Sequence, residues 1–191
     1  VEPRDPRVFN DDFNIRYSGG DMDRYEERLA RVKKKFRDIP ISFIGTTLRR
    51  NDRIVLLANL WANGVPVFKA GGKEGGNLTT PQYADLLRRS KITINTTADG
   101  FGVHRYTGRA TEAMLCGCLL FESANDLPND FIPMKDYVPF DDAADLIKKY
   151  LWYSEHENEA RRIAESGMRA AREKRTGKVF WGKVFERAEI C

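Results

Sequence analysis

The chain has 191 residues, 41% hydrophobic and 31% charged, and this ordinary composition predicts a soluble globular protein with one core. Its 32 basic and 28 acidic residues leave a formal net charge of +4, too small to indicate RNA, a membrane surface or a phosphorylated ligand by itself. No apolar run is long enough to span a bilayer, and three cysteines without disulfide or metal-ligand spacing favour a reducing, cytoplasmic setting.

The N-terminal part begins with an irregular segment rich in Pro and Asp over residues 1–20, which we interpret as a lead or linker remnant. Because the chain starts at Val1 without a charged-then-apolar leader, we expect that it begins inside a longer protein, with an upstream segment missing, rather than at a targeting signal. Residues 21–191 are predicted to form a single domain. Apolar residues spaced by three and four over 22–36 predict its first helix.

From residue 40 onward, short apolar runs alternate with helical periodicity. Strands are predicted at 40–45, 65–68, 91–95, 118–122 and 137–140. One helix is predicted at 54–61 and another over 108–115. A further helix is predicted to follow an N-cap at Thr80, with Pro81 at its first position. Such an order requires crossover connections, so we predict an α/β fold with a doubly wound, Rossmann-like parallel sheet of about five strands and helices on both faces.

After Asp141 the pattern is entirely helical, and helices are predicted at 142–153, 156–174 and 178–189. Gly167 is expected to be a weak point of the second of these helices. The acidic pair of Asp141 and Asp142 adjoins a helix start, where capping explains it better than a metal ion does. Core packing is predicted for the aromatic residues on the helical stripes, namely Trp152, Phe180, Trp181 and Phe185.

Three loops qualify as a ligand site, because ligands of open parallel sheets bind beyond the carboxyl ends of the strands. They cover residues 45–53, 70–77 and 96–108. The third loop is the richest, since it ends at a helix start and contains Gly100, Phe101, Gly102, His104, Thr107 and Gly108. Glycines let a backbone approach a ligand, and helix N-termini favour phosphate, so a diphosphate is predicted to bind here.

Arg109 and Glu112 are three residues apart and should project from one face of the helix that follows this loop. Arg109 would hold a phosphate, and the Glu112 carboxylate would accept hydrogen bonds from a ribose diol. The alternative is an exposed ion pair between them. His104 is a candidate for donating a hydrogen bond or shuttling a proton. The alternative, that His104 has no functional role, is equally compatible with its position.

The first loop contains Arg49, Arg50 and Arg53, whose planar guanidinium groups suit phosphate oxygens. The alternative is a solvated loop with a helix N-cap at Asn51 or Asp52. The second loop is rich in glycine but lacks the GxxxxGK[ST] order of a P-loop. It therefore gives only a weak indication of a ligand site.

The sequence resembles the C-terminal domain of CgeB-type proteins, which belong with the group 1 glycosyltransferases. The similarity covers about residues 40–175, and its most specific part is the Arg-x-x-Glu-Ala-x-x-x-Gly run from Arg109 to Gly117. A Ser-Lys-Ile-Thr-Ile-Asn strand ending at Asn95 precedes this run. The resemblance implies a GT-B architecture, in which this domain holds the nucleotide sugar and an N-terminal domain mainly holds the acceptor.

The resemblance also implies transfer of a sugar from a UDP- or GDP-sugar, without a metal or another cofactor. Glu112 matches the glutamate that holds the ribose, and the segment 100–102 matches the one against the diphosphate and hexose. One of Arg49, Arg50 and Arg53 would match a basic side chain at the phosphates. Relatives often carry a second glutamate eight residues before Glu112, where this chain has His104, and this departure leaves retaining or inverting stereochemistry open.

Two alternatives to a complete enzyme follow from the same sequence. The N-terminal acceptor domain has no counterpart here, so the chain alone could bind a nucleotide sugar without turnover, as a non-catalytic binding or interaction module. A nucleic-acid-binding α/β domain would require basic and aromatic residues on one exposed face. The arginines instead alternate with acidic residues, as in 25–28, so DNA is not an expected partner.

Overall fold

The structure is a computed structural model that describes residues 37–72, 76–96, 107–123 and 130–175. Its strands are β1 (Ile39–Ile44), β2 (Val67–Ala70), β3 (Ser90–Asn95), β4 (Leu119–Ser123) and β5 (Val138–Phe140). Its helices are α1 (Asn51–Ala62), α2 (Thr80–Arg89), α3 (Gly108–Leu115), α4 (Ala143–Glu155) and α5 (Glu157–Lys174). The strands form one sheet in the order β2-β1-β3-β4-β5, and the β1–β2, β1–β3 and β4–β5 pairs are parallel. The predicted doubly wound, Rossmann-like α/β fold is confirmed.

The chain divides into two compact units, Val1–Ile94 and Asn95–Cys191. The helices predicted at 22–36 and 178–189 lie outside the described residues, and the single domain predicted over 21–191 stays a prediction. Across the described ranges, the structure contains no helix that is both long and apolar enough to cross a membrane.

The core of the first unit forms around β1, which is buried over most of its length. Ile41 and Phe43 supply apolar packing, as expected for a central strand of a parallel sheet that is covered on both faces. Ser42 lies between them and is also buried, and its hydroxyl donates to Thr93 Oγ1 on β3 at 3.1 Å. The hydrogen bond satisfies a polar group that would otherwise be costly at this depth.

Helix starts in the first unit differ from the sequence expectations, since α1 begins at Asn51 rather than at residue 54 and the cap of α2 is shifted by one residue. The N-cap of α2 is Thr79 rather than Thr80, because Thr79 and Gln82 form a reciprocal capping box. Helix α1 follows Arg50 without a side-chain cap. Asn51 and Asp52 are already helical, so the alternative of an N-cap at either residue is wrong.

In the second unit, the helical tail closely follows its predicted bounds. Helix α4 begins directly after Asp142, whose carboxylate accepts a hydrogen bond from Asp145 N at 2.8 Å. The capping role expected at this acidic pair is therefore confirmed for Asp142. Apolar side chains of α3, β4, α4 and α5 form the core of the unit, and the most deeply buried include Met114, Phe121, Leu146 and Ile163.

Helix α5 continues through Gly167 without a break, although this glycine was expected to weaken it. The loop that precedes β5 comes so close here that a Cβ atom on Gly167 would lie 2.1 Å from the carbonyl oxygen of Asp136. The Asp136 carboxylate accepts hydrogen bonds from Ile132 N at 2.9 Å and from Ser166 Oγ at 2.7 Å. The glycine is thus required by close packing of this loop against α5.

Trp152 is not a core residue, and the packing role predicted for it is wrong. The side chain is 44% exposed on α4, whereas the adjacent Tyr153 is buried. The indole stacks on the exposed imidazole of His156, with ring centroids 4.1 Å apart. The other three aromatic residues predicted to pack in the core, namely Phe180, Trp181 and Phe185, lie outside the described residues.

Candidate functional site

The start of α3 is the centre of the candidate site in the second unit. Its N-cap residue is Thr107, which has an extended backbone, and the Thr107 side chain makes no capping hydrogen bond. The Thr107 hydroxyl oxygen is buried without a hydrogen-bond partner. Because the first N–H groups of a helix have no partner within the helix and carry partial positive charge, this end of α3 suits an anionic ligand.

Glu112 lies one turn into α3, and its side chain turns back toward the helix start. An oxygen of its carboxylate lies 3.5 Å from the position that a Cβ atom on Gly108 would take. This direction follows from the tilt of helical Cα–Cβ bonds toward the N-terminus. Glu112 is only 6% exposed, so the structure places a buried carboxylate beside the first turn of α3.

Arg109 and Glu112 do not form the exposed ion pair that was the alternative interpretation of their spacing. Among the described residues no ion pair joins them, and Arg109 is partly exposed whereas Glu112 is buried. The two side chains therefore occupy different environments.

A buried polar pair that the sequence analysis missed lies at the ends of β3 and β4. Asn95 Nδ2 donates to both carboxylate oxygens of Glu122, at 2.9 and 3.1 Å. Asn95 is 6% exposed and Glu122 is fully buried. The available signal was a polar residue placed near the carboxyl end of each apolar strand, but only the fold shows that the two residues meet.

The three arginines of the first loop, which belongs to the first unit, differ in their surroundings. Arg53 is buried, with its guanidinium donating to Thr46 O at 2.9 Å and lying over the Phe43 ring. Arg50 donates two hydrogen bonds to the Asp52 carboxylate, at 2.9 and 3.0 Å. Arg49 is exposed and has a left-handed backbone, with φ of 57°. Two of the three guanidinium groups thus stabilise the loop itself.

The charge of Arg50 also affects the titration of its partner. Partial burial acts to raise the pKa of Asp52, but the hydrogen bonds and positive charge of Arg50 outweigh this effect and hold the pKa below its ordinary value. Asp52 therefore stays ionised at neutral pH and keeps Arg50 engaged.

Several candidate residues of the other loops lie outside the described residues, namely Gly100, Phe101, Gly102 and His104. In the glycine-rich loop, Gly71, Gly72 and Gly76 all have positive φ, which explains the choice of glycine there. The part of the chain that the structure describes contains no cluster of ligands for a metal ion. The residues that the structure does bring together are Thr107, Gly108 and Glu112, with Arg109 on the same helix.

Solved structures of other proteins share this fold. The C-terminal domain of the glycosyl transferase group 1 family protein LpcC from Francisella tularensis is 14% identical, with a TM-score of 0.54 over 76% of this chain and 90% of that one. Sucrose-phosphate synthase from Thermosynechococcus elongatus is 16% identical, with a TM-score of 0.56, and the match covers 80% of this chain and 46% of that one. Anabaena HepE in complex with UDP is 12% identical, with a TM-score of 0.60, and the match covers 80% of this chain and 41% of that one.

These similarities concern the fold alone, and the chain spans less than half the length of the latter two proteins. No curated protein sequence matches the chain. A family model described as "Glycosyl transferase-like" matches residues 26–178, which is most of the sequence. The chain therefore belongs to the glycosyl transferase-like family.

Proposed function

We propose that this chain is the donor-binding domain of a glycosyltransferase that transfers a sugar from a UDP- or GDP-sugar. The observation that carries the proposal is the start of α3, where the Thr107 side chain makes no capping hydrogen bond and a buried carboxylate lies beside the first turn. The diphosphate would bind the first N–H groups of α3. The ribose diol would donate two hydrogen bonds to Glu112.

The neighbouring residues receive roles that remain proposals. Arg109, partly exposed on the first turn of α3, would contact a phosphate. Residues 100–102 would lie against the diphosphate and hexose, with His104 as the candidate for hydrogen bonding or proton transfer. Among the arginines of the first loop, Arg49 is the exposed one, and we propose it for phosphate contact ahead of Arg50 and Arg53.

We further propose that the protein is of the CgeB type, acts without a metal ion and works in the cytoplasm. The Arg109 to Gly117 run supports the first proposal. The cap formed by Asp142 supports the second, because it accounts for an acidic pair without a metal ion. The three cysteines support the third, since their spacing fits neither a disulfide framework nor a metal site.

The LpcC and HepE comparisons support the choice of ligand class and domain. The matched LpcC structure is itself a C-terminal domain of a group 1 glycosyl transferase, and the HepE structure contains UDP. The alternative function is a non-catalytic module that binds a nucleotide sugar. The residues that the structure brings together, Thr107, Gly108 and Glu112, all concern the donor and would serve that alternative equally well.

Calorimetric titration of the chain with UDP and GDP tests the proposal. Replacement of Glu112 with Ala should weaken binding by about 1.5–3 kcal/mol, the range for hydrogen bonds to a charged group. Glu112→Gln keeps the size and one acceptor, and its affinity should fall between those of the wild type and Glu112→Ala. Because Glu112 is buried, thermal unfolding of each variant is measured alongside, and titrations are made where all proteins are folded.

Glu173→Ala removes an exposed carboxylate of α5 and serves as the matched control, with unchanged affinity expected. Equal affinities in the wild type and both Glu112 variants would remove Glu112 from the site. If neither nucleoside diphosphate bound at millimolar concentration while inorganic anions did, the donor-site proposal itself would be wrong.

A further inference from the structure

The buried pair of Asn95 and Glu122 has a fixed polarity. One nitrogen, Asn95 Nδ2, lies within hydrogen-bond distance of both carboxylate oxygens of Glu122. Because both Glu122 oxygens accept from this one nitrogen, the Asn95 amide turns its NH₂ group toward Glu122. The carbonyl oxygen of the same amide, Asn95 Oδ1, therefore faces away from Glu122.

Asn95 Oδ1 is an acceptor that none of the described residues uses. Within the described ranges, no hydrogen bond ends on this oxygen, although the residue is 94% buried. Asn95 is the last residue of β3, and ligands of open parallel sheets bind beyond the carboxyl ends of strands.

The carboxylate of Glu122 fixes the orientation of the Asn95 amide, which an amide side chain at position 122 would not do. A fully buried carboxylate is costly to desolvate, and a glutamine of the same size would fill the same space. A glutamine could, however, turn either end of its amide toward Asn95. Only the carboxylate forces the NH₂ group of Asn95 inward and its carbonyl oxygen outward.

We propose that Asn95 is a ligand-contacting residue whose Oδ1 accepts a hydrogen bond from a hydroxyl or N–H group of the bound nucleotide sugar, and that Glu122 is its positioning residue. This inference rests on the proposed donor site. The donor of the hydrogen bond is either a hydroxyl of the transferred sugar or a group of the nucleotide. The two sources differ in whether the sugar must be present for the contact to form.

Calorimetry on the full chain tests the pair with UDP, UDP-glucose, GDP and GDP-mannose. Glu122→Gln should lower affinity roughly three- to tenfold, as expected for one weakened hydrogen bond. Its unfolding temperature without ligand is measured alongside, so that a change in stability is separated from a change in affinity. A loss confined to the sugar-bearing ligands identifies a sugar hydroxyl, and an equal loss with UDP or GDP identifies the nucleotide.

A double variant in which the amide and the carboxylate exchange positions distinguishes the effect of side-chain orientation from the effect of packing. Asn95→Asp places two carboxylates in contact and should lower the unfolding temperature. The double variant Asn95→Asp/Glu122→Gln restores a carboxylate and an amide, with the donor now at position 122 and an acceptor still facing outward at position 95. Its unfolding temperature should recover, and its affinity should return to within about twofold of the wild type, since the outward acceptor is restored.

The matched control is Ser42→Ala, which breaks another buried polar pair, that of Ser42 and Thr93. It should lower the unfolding temperature without changing affinity. Wild-type affinities in Glu122→Gln would overturn the inference, as would a double variant that regains stability but not affinity. Failure of the wild type to bind any of the four ligands would overturn the donor site and this inference together, whereas normal binding with unaffected variants would overturn the inference alone.

Discussion

Gly167 was expected to weaken helix α5, but the structure shows that close packing requires a glycine at this position. In an exposed helix interior, exchange of Gly for Ala stabilises by about 1 kcal/mol. Here the added Cβ would lie 2.1 Å from Asp136 O, a backbone atom that cannot move aside easily. Gly167→Ala should therefore lower the free energy of unfolding by about 1–3 kcal/mol, as overpacking does, and urea denaturation measures the change.

The control for Gly167 is Arg169, an exposed position on the same helix. The difference between Arg169→Ala and Arg169→Gly gives the intrinsic preference of α5, about 1 kcal/mol in favour of Ala. A Gly167→Ala protein as stable as the wild type, or more stable, would contradict the close packing of the loop against α5.

The site residues were predictable from sequence only in part. The position of Glu112 on a helix after a glycine-containing loop follows from periodicity and from the resemblance to glycosyltransferases. Its burial, and the turning of its carboxylate toward Gly108, depend on tertiary packing that spacing does not encode. The meeting of Asn95 and Glu122 required the neighbouring positions of β3 and β4, because 27 residues separate the two in sequence.

At the scale of elements, the sequence predicted all five strands and the five described helices, because alternation of buried apolar runs and amphipathic periods is a strong signal. Helix starts were less accurate. The capping box moved the start of α2 by one residue, since Gln82 pairs with Thr79. Helix α1 starts without a side-chain cap and so carries no capping signal in the sequence.

Helix α4 gives a prediction at the same scale, because Asp145 contacts Asp141 N and Lys149 Nζ in its first turns. Partial burial acts to raise the pKa of Asp145. Hydrogen bonds from Lys149 and from the Asp141 amide, together with the charge of Lys149, outweigh this effect and hold the pKa below its ordinary value. A carboxyl group with a lowered folded-state pKa stabilises the fold above its unfolded pKa of about 3.9 and loses this effect as pH falls through the folded value.

Asp145→Asn should therefore reduce the free energy of unfolding by up to about 1 kcal/mol at neutral pH, the range for such ion pairs. The gap between the two proteins should shrink below about pH 4, where the wild-type carboxyl becomes protonated. Urea denaturation from pH 7 to pH 3 measures this gap. In a Lys149→Gln background the gap at neutral pH should be smaller, and a gap that did not depend on pH would contradict the assigned contacts.

At the scale of the whole molecule, the proposed site requires only side chains and backbone N–H groups to hold the diphosphate. The charge balance would come from the start of α3 and from Arg109 on the same helix rather than from a cation. Nucleoside diphosphate affinity should therefore change by less than about twofold when a chelator replaces magnesium, since a lost charged contact would cost more. Calorimetry in matched buffers measures this, and binding abolished by the chelator would contradict metal-independent recognition.

The contacts proposed for the chain lead to the last prediction, which concerns turnover. The chain spans 46% and 41% of two structural neighbours, and the contacts proposed for it all concern the donor. Transfer also requires an acceptor held in line with the sugar, and positioning of the two reactants accounts for a large part of enzymatic acceleration. The purified chain should therefore bind a nucleoside diphosphate sugar while releasing or transferring little sugar. Product analysis after incubation with UDP- and GDP-sugars measures this, with donor binding confirmed in the same sample by calorimetry. Robust transfer by the chain alone would show that its own residues complete the catalytic site.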